Sequence, residues 1–449
     1  MEPTGDDGTI ELGVDFGPQL AAWLERIERL HPRNIDLGLD RVQAVAQAMG
    51  LTRPAPTVVT VGGTNGKGSC VTFIESILGT AGLATGAYLS PHLQRYNERL
   101  RIGGNEVDDV QLIQGFEAVE AARGDVSLTY FEFGTLAALW LMERAQLDVA
   151  VLEVGLGGRL DAVNIIDADV AVLTSIDIDH EEWLGADRES IGREKAGIFR
   201  EGRPAICGDP SPPASIAATA KACGAKLLVF GRHFKLTRKA KGWNWQGLSH
   251  RYAALPLPAL AGDFQLRNAA CALAAIEQLS RRHVIGEGDV RAGLLTATLA
   301  GRFQRVADDD AEWIFDVGHN AEAAGALAAE LAAAPARGST VAIIGMMRDK
   351  HVEEYARRLA PHVQTWMAVS LAPPRGSADD ELAQRLESAL GVTVERAGSV
   401  QDACARVAAR CGPRDRILVC GSFHTIGPAL EARGLYSRPG KRHPVAARR

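Results

Sequence analysis

Short apolar runs rich in β-branched residues alternate along the chain with longer segments whose apolar positions recur at helical spacing. The short runs are apolar at both odd and even positions, which is typical of strands buried on both faces of a parallel sheet. Alanine- and leucine-rich segments at 131–144 and 268–279 have the pattern of helices. The alternation predicts an α/β fold with doubly wound parallel sheets. The predicted strands are 57–61, 148–154, 169–174, 313–317, 340–344 and 416–420.

The chain of 449 residues is long enough for two or three domains. A second strand–helix series begins near Trp313, after a stretch at 243–258 that reads as irregular because it mixes turn residues, aromatics and prolines. We therefore predict an N-terminal domain over 1–300 and a smaller C-terminal domain over 301–436. The basic segment 437–449 is predicted to be disordered.

The composition is that of an ordinary globular protein, with 46% apolar and 23% charged residues. A net charge of −6 gives no basic footprint for nucleic acid. The acidic N-terminus does not look like a signal peptide, and the stretch nearest to a membrane span, 137–154, carries four charged residues. Seven cysteines without C-x-x-C spacing read as reduced thiols. We expect a cytoplasmic protein that binds neither nucleic acid nor membrane.

The segment 58–69 has the layout of a phosphate-binding loop. A β-branched strand leads into a glycine-rich turn, which is followed by Lys67, Gly68 and Ser69. Glycines let backbone N–H groups approach phosphate oxygens, a helix N-terminus adds positive potential, and the lysine supplies a charge. Gly68 separates the lysine from the hydroxyl residue, unlike the strict P-loop pattern. The alternative, a strand–helix turn with a surface lysine, explains less well why three glycines surround one lysine.

Acidic residues end two of the predicted strands. In an open parallel sheet, ligands bind beyond the carboxyl ends of the strands. Glu153 ends one strand and a glycine-rich turn follows it, while the next strand leads into Asp177, Asp179 and His180. Such carboxylates can hold the magnesium that accompanies nucleotide phosphates, and Ser90 could add a hydroxyl. The alternatives are a partly exposed terminal glutamate, a surface histidine and an ordinary turn serine.

Polar residues also end strands of the second series. Asp316 and His319 follow its first strand, and Ser422 and His424 follow its last. These pairs suggest that the second domain faces the same cleft, although such residues are also common in turns. Lys195, taken alone, reads as a solvated helix lysine.

Nine short motifs, taken as an ordered set, resemble the folylpolyglutamate synthase and dihydrofolate synthase family, which belongs to the wider Mur ligase group. The resemblance runs from about residue 23 to about residue 425. It implies a P-loop-type N-terminal ATPase domain and a smaller C-terminal α/β domain of the Mur ligase type. Ser69 stands where threonine is commoner, Gly318 where alanine is usual, and Asp177 is an additional acid. The motifs are 63–69, 90–93, 128–133, 153–162, 179–180, 193–198, 301–304, 316–320 and 421–425.

The resemblance implies roles for individual residues. The implied ATP contacts are Thr64, Asn65, Gly66, Lys67, Gly68, Ser69, Asn268, Arg302 and Asp316, with Lys67 on the transferred phosphate. Two magnesium ions would be held by Ser90, Glu153, His180 and a carbamate on Lys195. The implied catalytic residues are Lys67, Lys195, His319 and Ser422. The implied pterin pocket consists of Ile35, Asp36, Leu37, Thr129, Tyr130, Phe131, Glu132, Leu160, Asp161 and Ala162.

The implied reaction is ATP-dependent ligation of L-glutamate through an acyl phosphate. Dihydropteroate and reduced folates are the expected acceptors, and the alternative is folylpolyglutamate synthase activity only. A cell-wall Mur ligase would need a UDP-sugar domain before the phosphate loop, and Lys67 comes too early for one. A nucleotide switch would carry an Asn-Lys-x-Asp motif, which the sequence lacks, and would have no use for Asp316 and His319. The resemblance also favours a monomer.

Overall fold

The computed structural model of the chain describes residues 17–307, 311–372 and 375–436, so the predicted tail at 437–449 lies outside the described residues. Two mainly parallel sheets carry helices on their faces, which confirms the predicted α/β class. The first sheet ends with residue 229 and the second begins with residue 304. The two sheets therefore lie on either side of residue 300.

Within the described residues, the first sheet has eight strands. They are β1 (Thr57–Gly62), β2 (Thr85–Tyr88), β3 (Leu100–Ile102), β4 (Asn105–Glu106), β5 (Val149–Glu153), β6 (Val170–Leu173), β7 (Pro204–Cys207) and β8 (Lys226–Val229). Their spatial order is β4-β3-β2-β5-β1-β6-β7-β8. Every residue of β1 and β5 is buried, as their unbroken apolar runs predict. Because β1 pairs in parallel with both β5 and β6, the loops after these three strands meet at one edge.

The structure corrects the prediction that 243–258 is irregular. An antiparallel sheet is formed there by β9 (Lys235–Lys239), β10 (Gly242–Gln246) and β11 (Arg251–Leu255). Trp243 and Trp245 are both buried, and the Trp245 ring stacks on Tyr252 with centroids 5.7 Å apart. Their two-residue spacing is the period of a strand. The turn residues and prolines around this short alternation obscured it.

The second sheet has six strands within the described residues. They are β12 (Gln304–Ala307), β13 (Glu312–Asp316), β14 (Thr340–Ile344), β15 (Thr365–Ala368), β16 (Val394–Arg396) and β17 (Arg416–Cys420). Their spatial order is β12-β13-β17-β14-β15-β16, and β12 is the antiparallel edge strand. Because β17 lies between β13 and β14 in parallel register, the loops after these three strands share an edge.

The helices cover both faces of the two sheets. The predicted helix at 131–144 begins one residue earlier, where Thr129 and Glu132 form a capping box. The predicted helix at 268–279 begins earlier, at Asp263. The helices are α1 (Pro18–Glu28), α2 (Asp40–Ala48), α3 (Lys67–Thr80), α4 (Asp109–Arg123), α5 (Tyr130–Arg144), α6 (Glu181–Leu184), α7 (Arg188–Lys195), α8 (Ala214–Cys223), α9 (Asp263–Leu279), α10 (Glu287–Thr296), α11 (Ala321–Ala333), α12 (Val352–Leu359), α13 (Asp379–Leu390), α14 (Val400–Arg410) and α15 (Phe423–Ala432).

Two further expectations concern the environment of the chain. Among the helices in the described ranges, none combines the length and the apolar character that crossing a bilayer requires. All seven cysteines fall within the described residues, and each is a free thiol there.

Candidate active site

Two glycines with positive φ shape the loop between β1 and α3. Gly63 has a φ of 138° and Gly66 a φ of 83°. A Cβ atom on Gly63 would lie 2.0 Å from Oγ1 of Thr174, and one on Gly66 would lie 2.3 Å from Oδ1 of Asn268. Both positions therefore require glycine for conformation and for space. The loop ends at the N-terminus of α3, where unpaired backbone N–H groups can bind an anion.

Two lysines converge on one carbonyl group of this loop. Nζ of Lys67 donates to the carbonyl oxygens of Gly63 and Thr64 at 3.1 and 3.2 Å. Nζ of Lys195, at the end of α7, donates to the same Gly63 oxygen at 3.0 Å. Lys195 is only 5% exposed, so it is not the solvated helix lysine that its local sequence suggests. Burial, assisted by the charge of Lys67, lowers the pKa of Lys195 to about 7.

Glu153 places a buried carboxylate beside these cations. The residue is 3% exposed, and its Oε2 accepts a hydrogen bond from the backbone N–H of Ser90 at 3.3 Å. Burial raises the pKa of Glu153, while the charges of Lys67 and Arg302 act in the opposite direction. A cavity of about 120 Å³ brings the predicted metal ligands together, because its walls include Ser90, Glu153, His180 and Lys195.

The oxygen-bearing members of this set, Ser90 and Glu153, suit a magnesium ion that is also held by phosphate oxygens, whereas Lys195 would need modification to become a ligand. No cluster of three or more His, Cys, Asp and Glu side chains forms a ready-made metal centre in the described part of the chain. The buried carboxylate of Glu153 is the type of oxygen ligand that magnesium prefers. Burial lowers the pKa of His180 to about 4, so its imidazole is neutral at pH 7 and can bind a metal.

The predicted nucleotide contacts lie around a second, smaller cavity. This cavity, of about 90 Å³, is lined by Asn65, Gly66, Ser69, Asn268, Arg302 and Asp316, whereas Thr64, Lys67 and Gly68 line the metal cavity next to it. Asp316 ends β13 and accepts hydrogen bonds from the backbone N–H groups of Phe303 and Gly318 at 2.9 and 2.8 Å. A Cβ atom on Gly318 would lie 2.7 Å from Oδ1 of Asp316, so alanine would require a shift here.

All ten predicted pterin residues line one cavity, which we call the pterin cavity. They line this cavity of about 680 Å³ together with Ser90, His180, His319 and Ser422 among others. Asp161 is buried in this wall and accepts hydrogen bonds from the backbone N–H groups of Leu156 and Val163 at 2.8 and 3.0 Å. Burial nevertheless raises the pKa of Asp161 to about 7. The ten are Ile35, Asp36, Leu37, Thr129, Tyr130, Phe131, Glu132, Leu160, Asp161 and Ala162.

Two arginines that the sequence did not single out organise this cavity. Arg41 donates to Oδ2 of Asp36 at 2.9 Å and to Oε1 of Glu132 at 3.0 Å, so one guanidinium group joins two of the predicted pterin residues. Arg99 lines the cavity and lies over the ring of Tyr130, with Cζ 5.6 Å from the centroid. Neither arginine belongs to a motif of the family resemblance, so sequence spacing offered no signal for them.

The second sheet supplies residues that reach across to the first. His319 lines both the pterin cavity and the metal cavity, and its Nδ1 lies 3.1 Å from the carbonyl oxygen of Val317. Ser422 is buried at the start of α15, where its Oγ accepts from the N–H of His424 at 3.2 Å. Both predicted catalytic residues of this sheet therefore lie on the wall of the pterin cavity.

Asp179 connects the two sheets. Its carboxylate lies 2.6 Å from Nζ of Lys350 and 3.5 Å from Nε2 of His319. Burial alone would raise the pKa of Asp179, but the hydrogen bond from His319 and the charge of Lys350 hold it well below its usual range. The additional acid Asp177 acts through its backbone, since its N–H and its carbonyl oxygen both contact Oγ1 of Thr64 at 3.0 Å. Lys350 was not predicted.

Two family models match the chain on both sides of the predicted boundary. The Mur ligase middle domain matches residues 61–276, and the glutamate ligase domain of Mur ligases matches residues 301–423. A dihydrofolate synthase/folylpolyglutamate synthase of Escherichia coli (strain K12) is 46% identical over 412 residues, which cover 92% of this chain and 95% of that protein. The protein of the same name from Haemophilus influenzae is 40% identical over 91% of this chain and 96% of its own length.

Solved structures show the same similarity. Escherichia coli FolC in complex with DHPP and ADP has a TM-score of 0.88 and 46% identity, covering 92% of this chain and 97% of that one. A bifunctional folylpolyglutamate synthase/dihydrofolate synthase with manganese, AMPPNP and L-glutamate bound has a TM-score of 0.86 and 44% identity, covering 93% of this chain and 98% of that one. Both similarities extend over more than nine tenths of this chain.

Proposed function

Because the chain belongs to the dihydrofolate synthase/folylpolyglutamate synthase family of Mur ligases, we propose that it joins L-glutamate to dihydropteroate and extends reduced folates with γ-linked glutamates. It is an ATP-dependent ligase. The observation that carries the proposal is the junction of two cavities. The pterin cavity meets the cavity around Lys67 at Ser90, His180 and His319, which line both. A carboxylate leaving the pterin cavity therefore arrives beside the phosphate loop.

We assign ATP binding to the phosphate loop and the residues that face it. Thr64 to Ser69 surround the triphosphate, and Lys67 neutralises charge on the γ-phosphate as it transfers. Asn268, Arg302 and Asp316 contact the rest of the nucleotide from the 90 Å³ cavity. Since Arg302 lies just before β12 and Asp316 ends β13 of the second sheet, nucleotide binding involves both domains.

We assign two magnesium ions to Ser90, Glu153, His180 and Lys195. When bound, magnesium offsets the negative charge that develops during phosphoryl transfer. Lys195 qualifies for a carbamate because a lysine with a pKa of about 7 is partly neutral at physiological pH, and only the neutral amine reacts with carbon dioxide. The modification would turn a cation into an anionic oxygen ligand in the cavity that Glu153 also lines.

Amide formation requires two displacement steps, because a carboxylate is a poor electrophile. An oxygen of the pterin-linked carboxylate attacks the γ-phosphorus of ATP, giving an acyl phosphate and ADP. The amine of L-glutamate then attacks the carbonyl carbon, the bond to the phosphate oxygen breaks, and phosphate leaves with release of a proton. We place His319 and Ser422 around this second step, since both lie on the cavity wall that faces the reacting carboxylate.

We also propose the chain's organisation in the cell. The division at residue 300 separates an ATP-binding domain from a C-terminal ligase domain, in line with the separation of the two sheets. The enzyme acts in the cytoplasm as a monomer on small molecules, without nucleic acid or membrane partners. The free thiols and the net charge of −6 support this proposal. Light scattering coupled to gel filtration would contradict it by returning twice the mass of one chain.

The experiment that tests the function measures phosphate release by the purified protein. The assay contains magnesium, ATP and L-glutamate, with dihydropteroate, with tetrahydrofolate or without a pterin. We expect release with each pterin only when glutamate is present. Release with tetrahydrofolate alone would restrict the enzyme to folylpolyglutamate synthase activity. Release with neither, from folded protein that binds ATP, would contradict the substrate assignment.

A further inference from the structure

A buried ion pair connects the two domains beside the reaction centre. Lys350 follows β14 and its Nζ lies 2.6 Å from Oδ1 of Asp179, which follows β6. The side chains are 10% and 12% exposed. Resting on the ligase function proposed above, we propose that this pair is a latch that keeps the domains closed over the acyl phosphate and excludes water. Lys350 is thus a positioning residue.

Both ends of the pair are held in place. The carbonyl oxygen of Lys350 accepts hydrogen bonds from Nη2 of Arg385 at 2.9 Å and from the N–H of Val352 at 3.0 Å. Asp179 lies two residues after Asp177, whose backbone is bonded to the hydroxyl of Thr64. A continuous set of contacts therefore runs from the phosphate loop to the second sheet, and the ion pair is its central link.

The same carboxylate also holds neighbouring residues of the second sheet. Nε2 of His319 and Nδ2 of Asn320 each lie 3.5 Å from Oδ2 of Asp179. The Asn320 side chain in turn exchanges hydrogen bonds with that of Asn65 in the phosphate loop, each at 3.1 Å. These weaker contacts span the same gap as the ion pair. Removing Lys350 would leave the carboxylate without its closest cation and loosen the whole group.

Lys350 lies between the reaction centre and a wider cleft from which water would enter. It lines the pterin cavity and also this wider cleft of about 900 Å³, whose walls include residues 177–183. His180 and His319 line both spaces too, so the ion pair lies at their junction. A closed junction shields the carbonyl carbon of the acyl phosphate until the amine of glutamate is in place.

Opening the latch has a chemical signature. If water replaces the amine, its oxygen bonds to the carbonyl carbon, the bond to phosphate breaks, phosphate leaves and a proton is released. The products are the original carboxylate and phosphate, so one ATP is consumed and no amide forms. At saturating glutamate, the number of phosphates released per amide formed therefore reports on closure, and loss of a residue that only binds substrate would leave it unchanged.

The experiment compares this ratio in the wild type and in Lys350→Met, with Lys350→Arg as the conservative variant. We expect a ratio near one for the wild type and for Lys350→Arg, because arginine keeps a cation opposite Asp179. Lys350→Met should release several phosphates per amide, and its kcat for amide formation should fall about 100-fold, as expected when reacting groups are misplaced. ADP binding, measured by calorimetry, should stay unchanged, which also shows that the variant is folded.

A neighbouring side-chain contact provides a matched control. Nε2 of His351 lies 3.2 Å from Oε1 of Glu181 and joins the same two loops, but these side chains are 77% and 43% exposed. His351→Gln should keep the wild-type ratio because water already reaches this pair. A His351→Gln variant that releases several phosphates per amide would overturn the assignment of the latch to Lys350.

Double substitution separates the latch from other roles of Lys350. Once Asp179→Asn has broken the pair, adding Lys350→Met should change the ratio little further. Additive effects, or a Lys350→Met variant that is slow but still releases one phosphate per amide, would overturn the latch and leave Lys350 as a substrate contact. A wild type without glutamate-dependent phosphate release would instead contradict the proposed function.

Discussion

The two sheets differ in the residues that follow the carboxyl ends of their parallel strands, which we call the first edge and the second edge. At the edge of the first sheet, Lys67, Glu153 and Lys195 are packed around the phosphate loop, and burial shifts the pKa of each. At the edge of the second sheet, His319 and Lys350 instead contact Asp179 across the gap between the sheets. Under the proposed function, the first edge supplies the charges for phosphoryl transfer, and the second orders and covers them.

This difference has a physical reason. Charges that are removed from water interact more strongly, and they need no reorganisation at the moment of reaction if they are already fixed in place. Such an arrangement has to be built within one domain, where packing determines every position. Substrates have to enter and leave, so the cover has to come from a part that can separate. Substitutions at the first edge should accordingly affect the chemical step most.

Lys67→Met should have the largest effect of any single substitution considered. Two carbonyl groups of the phosphate loop hold Lys67 at that loop, and the proposed function places the transferring phosphate there. Removing it should lower kcat for both pterin substrates by about 10²–10³-fold, as loss of one transition-state contact does elsewhere. Phosphate release with dihydropteroate and with tetrahydrofolate measures both losses.

The control for this prediction is Lys239→Met, which removes an exposed lysine from β9. It should leave both activities unchanged. A Lys67→Met enzyme that binds ATP and retains a wild-type kcat would show that the loop holds the nucleotide without taking part in the reaction. The distinction between the two edges would then be wrong.

Lys195→Met should lower kcat by about 100-fold and abolish a carbamate signal. Carbon-13 NMR of protein equilibrated with labelled bicarbonate should show one carbamate resonance in the wild type, and the variant should lack it. The expectation depends on burial, which lowers the pKa of this lysine to about 7 and leaves part of it neutral. A wild-type spectrum without the resonance would remove the carbamate from the site and leave Lys195 as a cation beside Lys67.

The sequence predicts the first edge better than the second. The phosphate loop can be recognised from the sequence because its conformation and close contacts require glycine at 63 and 66. The whole signal therefore lies within a few consecutive residues. The buried strands are equally evident from their apolar runs. Lys195 is a harder case: its neighbours look solvated, and its importance depended on a family resemblance until the fold placed it against Gly63.

Contacts between distant segments could not be predicted from local patterns. Arg41 reaches Glu132 across 91 positions, and Lys350 reaches Asp179 across 171. No periodicity or motif relates such pairs, because their proximity results from how the sheets and helices pack. The same limit applies to 243–258, because the buried Trp245 donates to the carbonyl oxygen of Ala270 in α9, a contact that local patterns do not predict.

Arg41→Met should distinguish the two proposed substrates at the pterin cavity. Arg41 joins Asp36 and Glu132, so its loss should disorder the wall that surrounds the pterin end of dihydropteroate. We expect KM for dihydropteroate to rise about tenfold, equivalent to roughly 1.4 kcal/mol, with a smaller rise for tetrahydrofolate. The two Michaelis constants and kcat, measured side by side, provide the test.

Arg26→Met is the matched control. Arg26 lies on the exposed side of α1 and pairs with Glu120 of α4. The kinetics of this variant should equal those of the wild type. Equal losses for both pterins in Arg41→Met would mean that both acceptors use this wall in the same way. A loss confined to tetrahydrofolate would reverse the proposed assignment of the pocket.

Asp161→Asn should have the smallest effect of these substitutions. It should change how the free energy of unfolding depends on pH. Burial raises the pKa of Asp161 to about 7 from an ordinary value of 3.8, so the folded state binds more protons than the unfolded state between these pH values. Stability therefore falls as pH rises through this window, by at most about 1.4 kcal/mol per pH unit from this group. Urea unfolding of the variant at pH 5, 6 and 7 should show a slope flatter by about 1 kcal/mol per unit.

Asn also changes one of the two backbone hydrogen bonds that Asp161 accepts, but that cost is the same at each pH and leaves the slope unaffected. The control is Asp167→Asn, which removes a carboxylate that is 77% exposed. If Asp161→Asn and the wild type lose stability in parallel from pH 5 to 7, the carboxyl group is ionised throughout. The pterin cavity would then carry a negative charge beside the reaction centre, and the first edge would hold its charges without the protonation that burial favours.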